Sequence, residues 1–507
     1  MPKLLIDYLR ETSRKFPDKV ACADANEEFT FESLNKAAMS LAQYIAERKV
    51  CNSPIAVFLP KSTRCVASFA GIMYSGNYYV MLDVKNPPER IKKILNLLNP
   101  AYIIADDSTK ERLETIVKDA PVIDYDEASA CAYDEKLITN IKSSIIDANP
   151  AAIFFTSGST GVPKGAVLTH RGIYEFIEWA NDTFQIKLET VIGNQTQFYF
   201  CMSMADIFLS WRNGCTLKII PTLLFSFPWK LAEYIHINQI NLLWWVPSAL
   251  SGVASSGALE GYDLSCLKTI VFGGEVFPTK YLNMWRKAYP NIKMANLYGP
   301  TECTDTTHYY IVNRFLKDNE PIPMGFLRPN VDAFLLNEND ELAADGGVGE
   351  LCVRGMTLSP GYYNDWENTK RAFVQNPLNG KYPELIYRTG DLACKNEYGE
   401  LVYVGRKDTQ IKRSGYRIEL GEIESAANAL DGVDLSCAVY IADAKQVVLF
   451  YVGALKEGDI AEKIEIGVPK YMFPDKIKKL PAMPLNTNGK IDRAKLREAA
   501  KDDAVVE

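Results

Sequence analysis

Apolar side chains recur at helical spacing over residues 4–16, and the run 29–34 leads into a second amphipathic helix that reaches about residue 48. Short apolar runs then alternate with helical patterns. Residues 54–59, 76–82, 101–104 and 121–123 read as strands, with helices over 66–73 and 91–98 between them, a βαβ rhythm that implies parallel sheet. The rhythm resumes beyond residue 165 with a helix over 170–183 and strands over 215–221, 242–246 and 269–272, the last running into Gly273-Gly274-Glu275. Ligands of such sheets gather at the carboxyl ends of the strands. From about Met324 the texture changes to short alternating runs with frequent glycines, which predicts a smaller β-rich subdomain. The stretch 406–415 is polar and charged, and 418–430 reads as an amphipathic helix opening a final compact unit, with a hinge near Asp408. Residues after about 497 read as a solvated tail.

One loop interrupts this pattern. The apolar run 151–155 ends in Thr156-Ser157-Gly158-Ser159-Thr160-Gly161-Val162-Pro163-Lys164-Gly165, a polyphosphate-binding turn in its chemistry. Glycines let backbone N–H groups approach phosphate oxygens, the hydroxyls of Thr156, Ser157, Ser159 and Thr160 add donors, and Lys164 adds a positive charge. A flexible surface turn has the same composition. The Walker A reading fails on spacing, because Pro163 precedes Lys164 and Gly165 follows it where Gly-Lys-Ser/Thr is required.

Composition narrows the classes. With 507 residues, 47% of them hydrophobic, the chain can build a large core and more than one domain. A formal net charge of -7 argues against a general nucleic-acid or membrane-surface role. The 11 cysteines lack CxxC spacing and only 3 histidines are present, so neither a zinc site nor a disulfide framework is indicated. The first residues lack the apolar core of a signal peptide, no apolar run has membrane-spanning length, and a cytoplasmic protein is expected.

Several stretches in a fixed order give the chain a closer kinship. These are residues 29–35, 76–90, 156–165, Asn296-Leu297-Tyr298-Gly299-Pro300-Thr301-Glu302, 349–355, Tyr387-Arg388-Thr389-Gly390-Asp391-Leu392, 405–424 and Asn486-Thr487-Asn488-Gly489-Lys490-Ile491-Asp492. Together they resemble the adenylate-forming superfamily, specifically the amino-acid adenylation domains of nonribosomal peptide synthesis and the D-alanine–carrier-protein ligases, over essentially the whole chain. The resemblance implies an α/β protein. Its large N-terminal domain, residues 1–407, would hold two doubly wound βα subdomains and a small β-barrel-like subdomain, followed by a small mobile α+β C-terminal domain, residues 408–507.

The resemblance also implies ATP and Mg²⁺ as cofactors and assigns roles. The loop from Thr156 through Ser157, Gly158, Ser159 and Thr160 to Lys164 would hold the β- and γ-phosphates. Tyr298 would stack on adenine, with Gly273, Gly274 and Asn296 lining the same pocket. Glu302 would be the Mg²⁺ ligand, a hard carboxylate for a hard cation, and Thr301 would contact the α-phosphate. Asp391 would accept hydrogen bonds from the ribose hydroxyls, with Arg406 reaching ribose or phosphate. Lys490 would stabilise the charge that develops as a carboxylate attacks the α-phosphate. In the second step the C-terminal domain would rotate about Asp408 and bring Gly415 to a pantetheine channel.

The acid pocket departs from the family. Members that take α-amino acids usually carry Phe-Asp-x-Ser, whose Asp pairs with the substrate ammonium, whereas this chain has Phe200-Cys201-Met202-Ser203. A thiol supplies no full countercharge at neutral pH. Motif spacing gives Met202, Ala205, Trp244, Val271, Gly273, Leu297, Asp305 and Thr306 as the remaining lining, with Trp244 shortening or flattening the pocket. Asp305 is the one acidic member, suited to an amine placed away from the α-carbon, although a carboxylate there also fits a solvated loop. The expectation is a small acid that is a β- or ω-amino acid or has no amine. The expected acceptor is the phosphopantetheine thiol of a separate carrier protein, the chain itself being a free-standing monomer. An aryl- or acyl-CoA ligase and a binding-only nucleotide sensor are the alternatives.

Overall fold

A computed structural model describes residues 4–158, 162–485 and 491–501. The chain divides into two compact units. The first comprises Met1–Val84, Leu98–Phe154 and Gly165–Lys407; the second comprises Asp408–Glu507 together with two earlier segments, Lys85–Leu97 and Phe155–Lys164.

The first unit contains three sheets. One runs in the order Val122–Asp124, Tyr102–Ala105, Pro54–Val57, Tyr78–Met81, Pro150–Thr156, Lys164–Thr169, with the pairings from Val122–Asp124 through Pro150–Thr156 all parallel. Its strands are short and apolar on both faces, as strands covered by helices on two sides must be. A second sheet is parallel from Lys293–Tyr298 through Thr269–Gly273, Leu242–Trp245, Val191–Asn194 and Thr216–Ile219 to Val20–Ala23. Antiparallel strands complete it, Glu28–Thr30 at one edge and His308–Ile311 with Phe326–Leu327 at the other. Trp211, Trp244, Trp245 and Trp285 are fully buried around it, and all seven tryptophans of the chain belong to this unit.

The helices that cover these sheets are locally specified. Phe31–Ala46 starts at a capping box, in which Thr30 Oγ1 accepts from the Ser33 backbone N–H and Ser33 Oγ accepts from that of Thr30. Its small residues meet the apolar helix Thr63–Tyr74 at Gly71, where an added Cβ would stand 2.6 Å from Leu41 Cβ and 2.9 Å from the Ala38 carbonyl oxygen. Backbone cannot yield there. Gly71→Leu should therefore cost about 1–3 kcal/mol by overpacking, read as a lowered denaturation midpoint with an unchanged slope.

The third sheet of this unit is antiparallel, in the order Val331–Leu336, Gly349–Gly355, Leu385–Lys395, Phe373–Gln375, with Leu401–Arg406 also paired to Leu385–Lys395. Its register sets Asp391 opposite Arg406.

In the second unit, Gln410–Arg413 and Tyr416–Glu419 form a hairpin. The two turn residues, Ser414 at φ 51° and Gly415 at φ 81°, are both left-handed, the geometry of the two-residue turn that matches strand twist. A helix over 418–430 is thus corrected: Ile418 and Glu419 close the hairpin, and the helix is Leu420–Asn428. The apolar side chains of Ile418 and Leu420 fit period two as well as a helix, and the turn decides between them. The mixed sheet Val433–Ile441, Gln446–Gly453, Lys476–Lys479 follows. Arg493–Lys501 is helical with Leu496, Ala499 and Ala500 buried, so the solvated tail does not begin at 497. Within this unit Arg90 forms a buried ion pair with Glu422. Among the described residues no helix is long and apolar enough to cross a membrane.

Candidate active site

Parallel strands of the second sheet end together, and most of the expected site residues of the first unit stand at or beyond those ends. The register pairs Trp244 with Val271, Val271 with Ala295, and Gly273 with Leu297. Glycine at 273 follows from that register, since a Cβ would lie 2.7 Å from the Leu297 carbonyl oxygen. Gly274 continues at φ 87° with open space where a Cβ would stand. Asn296 donates through Nδ2 to the Pro323 carbonyl at 2.8 Å and so ties its strand to the loop that follows.

Tyr298, Asp391 and Arg406 form one buried hydrogen-bonded chain. The Tyr298 hydroxyl donates to Asp391 Oδ2, and Arg406 Nη1 donates to Oδ1 at 2.6 Å and to the Thr389 carbonyl at 3.1 Å. Burial, with the Asp391 carboxylate next in importance, pushes the Tyr298 hydroxyl far above its usual range, so it is a permanent donor. Both Asp391 oxygens have protein partners and keep lone pairs for further donors.

Glu302 lies in a single 3₁₀ turn, Thr301–Cys303, and is completely buried. Its Oε1 accepts from the Tyr362 hydroxyl at 2.7 Å, and its carbonyl accepts from Ser359 N–H at 2.8 Å. Among the described residues no group of three or more His, Cys, Asp or Glu side chains could hold a metal. A single carboxylate, on the same turn as Thr301, fits Mg²⁺, which keeps several waters and takes substrate phosphate oxygens for the rest of its shell.

The acid-pocket residues converge on Cys201. Its thiol donates to Asp305 Oδ1 at 3.3 Å and lies 3.2 Å from Thr301 Oγ1, while Thr306 Oγ1 donates to Asp305 Oδ2 at 3.0 Å. Burial raises the Cys201 thiol well above its usual range, and the Asp305 carboxylate adds to that, so sulfur stays protonated. Burial also raises Asp305, against which the hydrogen bonds from Cys201 and Thr306 act. Asp305 stands at φ 71° after Thr304 at φ 56°. Two consecutive non-glycine residues in the left-handed region, one of them β-branched, mark a turn that the surroundings impose.

Met202 receives a contact from Thr196 Oγ1 at 3.4 Å and Ala205 is fully buried. Trp244 is also fully buried, edge-on to Phe176 and Phe184 at 6.1 and 5.4 Å, with no hydrogen-bond partner for its Nε1. These positions belong to the apolar core behind the strand ends.

In the second unit, Thr156 ends its strand with Oγ1 3.5 Å from the Lys164 carbonyl, and Ser157 Oγ donates to the Arg417 carbonyl at 2.7 Å. Gly158 admits no side chain, because a Cβ would fall 2.0 Å from the Val162 carbonyl oxygen. Asp408 Oδ1 accepts from Gln410 N–H at 3.1 Å, and Gly415 is the second turn residue of the hairpin. Ser159, Thr160 and Lys490 lie outside the described residues.

Three polar residues near the pocket escaped the sequence reading. Asp206, on the helix Ser203–Asn213, accepts from Asn194 Nδ2 at 2.7 Å, and burial raises its carboxyl to about 8. Lys61 donates to the Gln195 carbonyl at 2.9 Å, with burial lowering its amine to about 7. Arg328 is buried behind the Asp305 turn. Lys61 follows Pro60, Asp206 stands in the first turn of its helix and Arg328 precedes Pro329, places that give no signal of burial.

Comparison with known proteins shows the family and the fold. The family model described as "AMP-binding enzyme" matches residues 9–363. A delta-poly-L-ornithine synthetase of Acinetobacter baumannii is 30% identical over 98% of this chain, which spans 36% of that relative's length. An L-proline–[L-prolyl-carrier protein] ligase of Streptomyces coelicolor is 30% identical over 87% of the chain and 86% of its own length. The adenylation domain AlmE of Vibrio cholerae, solved with glycyl-adenosine-5'-phosphate, superposes with a TM-score of 0.83 at 21% identity, covering 99% of this chain and 98% of that one, and so shares its fold. The chain belongs to the AMP-binding enzyme family, and within the adenylate-forming superfamily its relatives are the adenylation domains of nonribosomal peptide synthesis.

Proposed function

We propose that the chain activates a small acid bearing an amine away from its α-carbon and passes it to a carrier protein. A carboxylate oxygen of the acid attacks the α-phosphorus of ATP in line, the bond to the bridging oxygen breaks, and pyrophosphate leaves with the electron pair. The thiol of a phosphopantetheine arm then attacks the acyl carbon, loses its proton and expels AMP. Mg²⁺ at Glu302 would neutralise phosphate charge. Lys490 would stabilise the first transition state, Asp391 would hold the ribose, Tyr298 the adenine, and the loop Thr156 to Lys164 the departing phosphates. Transfer to a carrier is supported by the prolyl-carrier-protein ligase among the relatives.

The observation that carries the choice of acid is the 3.3 Å contact between Cys201 Sγ and Asp305 Oδ1. The pocket has a carboxylate, but one presented from residue 305 across the thiol and therefore displaced from where Asp at 201 would stand. Burying an ammonium unpaired is costly, so the amine follows the carboxylate. ATP–pyrophosphate exchange with acids matched with and without an amine should favour β- or ω-amino acids. Asp305→Asn should lower that preference about 10- to 100-fold, the worth of a charged hydrogen bond of about 1.5–3 kcal/mol. A strong preference for a plain α-amino acid that survives Asp305→Asn overturns the assignment.

A further inference from the structure

Arg328 is 1% exposed, yet it has no ion pair among the described residues. Its Nε donates to the Thr306 carbonyl at 2.5 Å and its backbone N–H to the Thr307 carbonyl at 3.0 Å. Its guanidinium carbon lies 5.8 Å from the centre of the Trp179 ring, while Nη1 and Nη2 are buried without a hydrogen-bond partner. Leaving two guanidinium nitrogens unpaired in the core is expensive, and a methionine would fill the same space without that cost. The side chain is attached to the one turn of the pocket whose backbone is forced, through the carbonyl next to Asp305.

Resting on the reading of Asp305 as the amine's partner, we propose that Arg328 is a positioning residue for acid selection. It clamps the turn 304–307 and supplies the fixed positive charge that keeps the Asp305 carboxylate ionised inside the protein.

The charges around both groups support this. Asp305 faces the Cys201 thiol, the Thr306 hydroxyl and Arg328, and more distantly Asp206 of the helix Ser203–Asn213, whose counter-charge is Lys61. Glu302 of the short turn acts on Cys201. Arg328 itself faces Asp305, Cys303 and Glu175 of the helix His170–Phe184, and Glu175 is already bonded to Asn330 at 2.9 Å. His308, on the strand beyond the turn, is held neutral by burial. The hydrogen bonds from Cys201 and Thr306 oppose the rise which burial imposes on Asp305, and Arg328 is the cation that adds to them. Burial lowers Arg328 to about 10, which leaves it charged at neutral pH.

The sign of the effect follows. Without Arg328 the Asp305 carboxyl binds its proton more tightly, so it ionises only at higher pH, and an amine-bearing acid binds poorly at neutral pH but recovers as pH rises. Two variants test this, Arg328→Met, which keeps the volume, and Arg328→Lys, which keeps the charge. Infrared difference spectra across pH should show a buried carboxylic-acid band, absent in Asp305→Asn. In Arg328→Met it should titrate about one pH unit or more above wild type, a tenfold change in proton affinity, and Arg328→Lys should restore part of that shift. In pyrophosphate exchange at neutral pH, the KM of Arg328→Met for an amine-bearing acid should rise at least tenfold more than that for its amine-free isostere. A band that titrates unchanged in folded Arg328→Met overturns the proposal whatever the acid. A shifted band without amine preference in the wild type leaves the proposal standing and overturns the reading of the acid.

Discussion

Asp391→Ala should unfold the first unit at markedly lower denaturant and remove adenylate formation. The substitution leaves the Arg406 guanidinium without its 2.6 Å partner and the buried Tyr298 hydroxyl without its acceptor. Removing one member of a buried ion pair costs about 3–5 kcal/mol, because the survivor is left charged and unsolvated. Loss of the Tyr298 hydrogen bond to the carboxylate adds to this, and the two do not sum in full because the groups share one network. If Asp391 also receives the ribose hydroxyls, activity falls at least about a hundredfold, the worth of two hydrogen bonds to a charged acceptor. Asp391→Asn separates the effects. An amide keeps one oxygen and loses the charge, so the Arg406 contact suffers more than the Tyr298 one. Urea unfolding and pyrophosphate exchange on both variants check the argument, and a loss of stability within about 0.5 kcal/mol for Asp391→Ala, the range of ordinary surface substitutions, would refute it.

The second large effect is expected at the pocket. Cys201→Asp restores the acidic residue that α-amino-acid-activating relatives carry, yet here it should damage the enzyme. The new carboxylate would meet Asp305 at the position where Sγ now stands 3.3 Å away. Two unit charges about 4 Å apart repel by roughly 4 kcal/mol at an effective dielectric constant of about 20. One of the pair therefore takes up a proton, as carboxylates sharing a site do. Exchange with the preferred acid should fall about a hundredfold near neutral pH, and more as rising pH ionises the second group. The double substitution Cys201→Asp with Asp305→Asn removes the repulsion, recovers activity, and moves the preferred amine toward the α-carbon. A double variant that keeps the wild-type order of preference would show that neither carboxylate selects the acid.

Parallel strands such as Leu242–Trp245 and Thr269–Gly273 were legible because their apolar runs are bounded by turn residues and too short for helices, whereas Val20–Ala23, Val191–Asn194 and Lys293–Tyr298 were not read as strands. Thr301, Glu302, Asp391 and Cys201 could be named as candidates because each sits in a motif of recognisable spacing. Arg328 was not, since an arginine following Phe326-Leu327 and preceding Pro329 reads as a surface residue, and arginine is rarely buried alone. Its depth depends on the antiparallel edge strands and on a turn far from any periodic pattern. Lys61 and Asp206 lie far apart in the chain, and neither carries a signal before the strands align. The hairpin 410–419 was misread for a local reason: Ile418 and Leu420 satisfy two periods, and Ser414-Gly415 as a turn outweighs the helical one. The segments 85–97 and 155–164 group with the second unit through pairings such as Arg90 with Glu422 and Ser157 with the Arg417 carbonyl. Sequence separation hides such pairings.

The distribution of tryptophan gives the chain an optical asymmetry. All seven indoles are in the first unit, and four of them are sealed from water. Excitation at the red edge of protein absorption therefore reports on that unit alone. The second unit, which holds the Tyr416–Tyr471 stack with ring centres 3.8 Å apart, contributes no indole light, so a change in tryptophan emission follows the first unit as it unfolds.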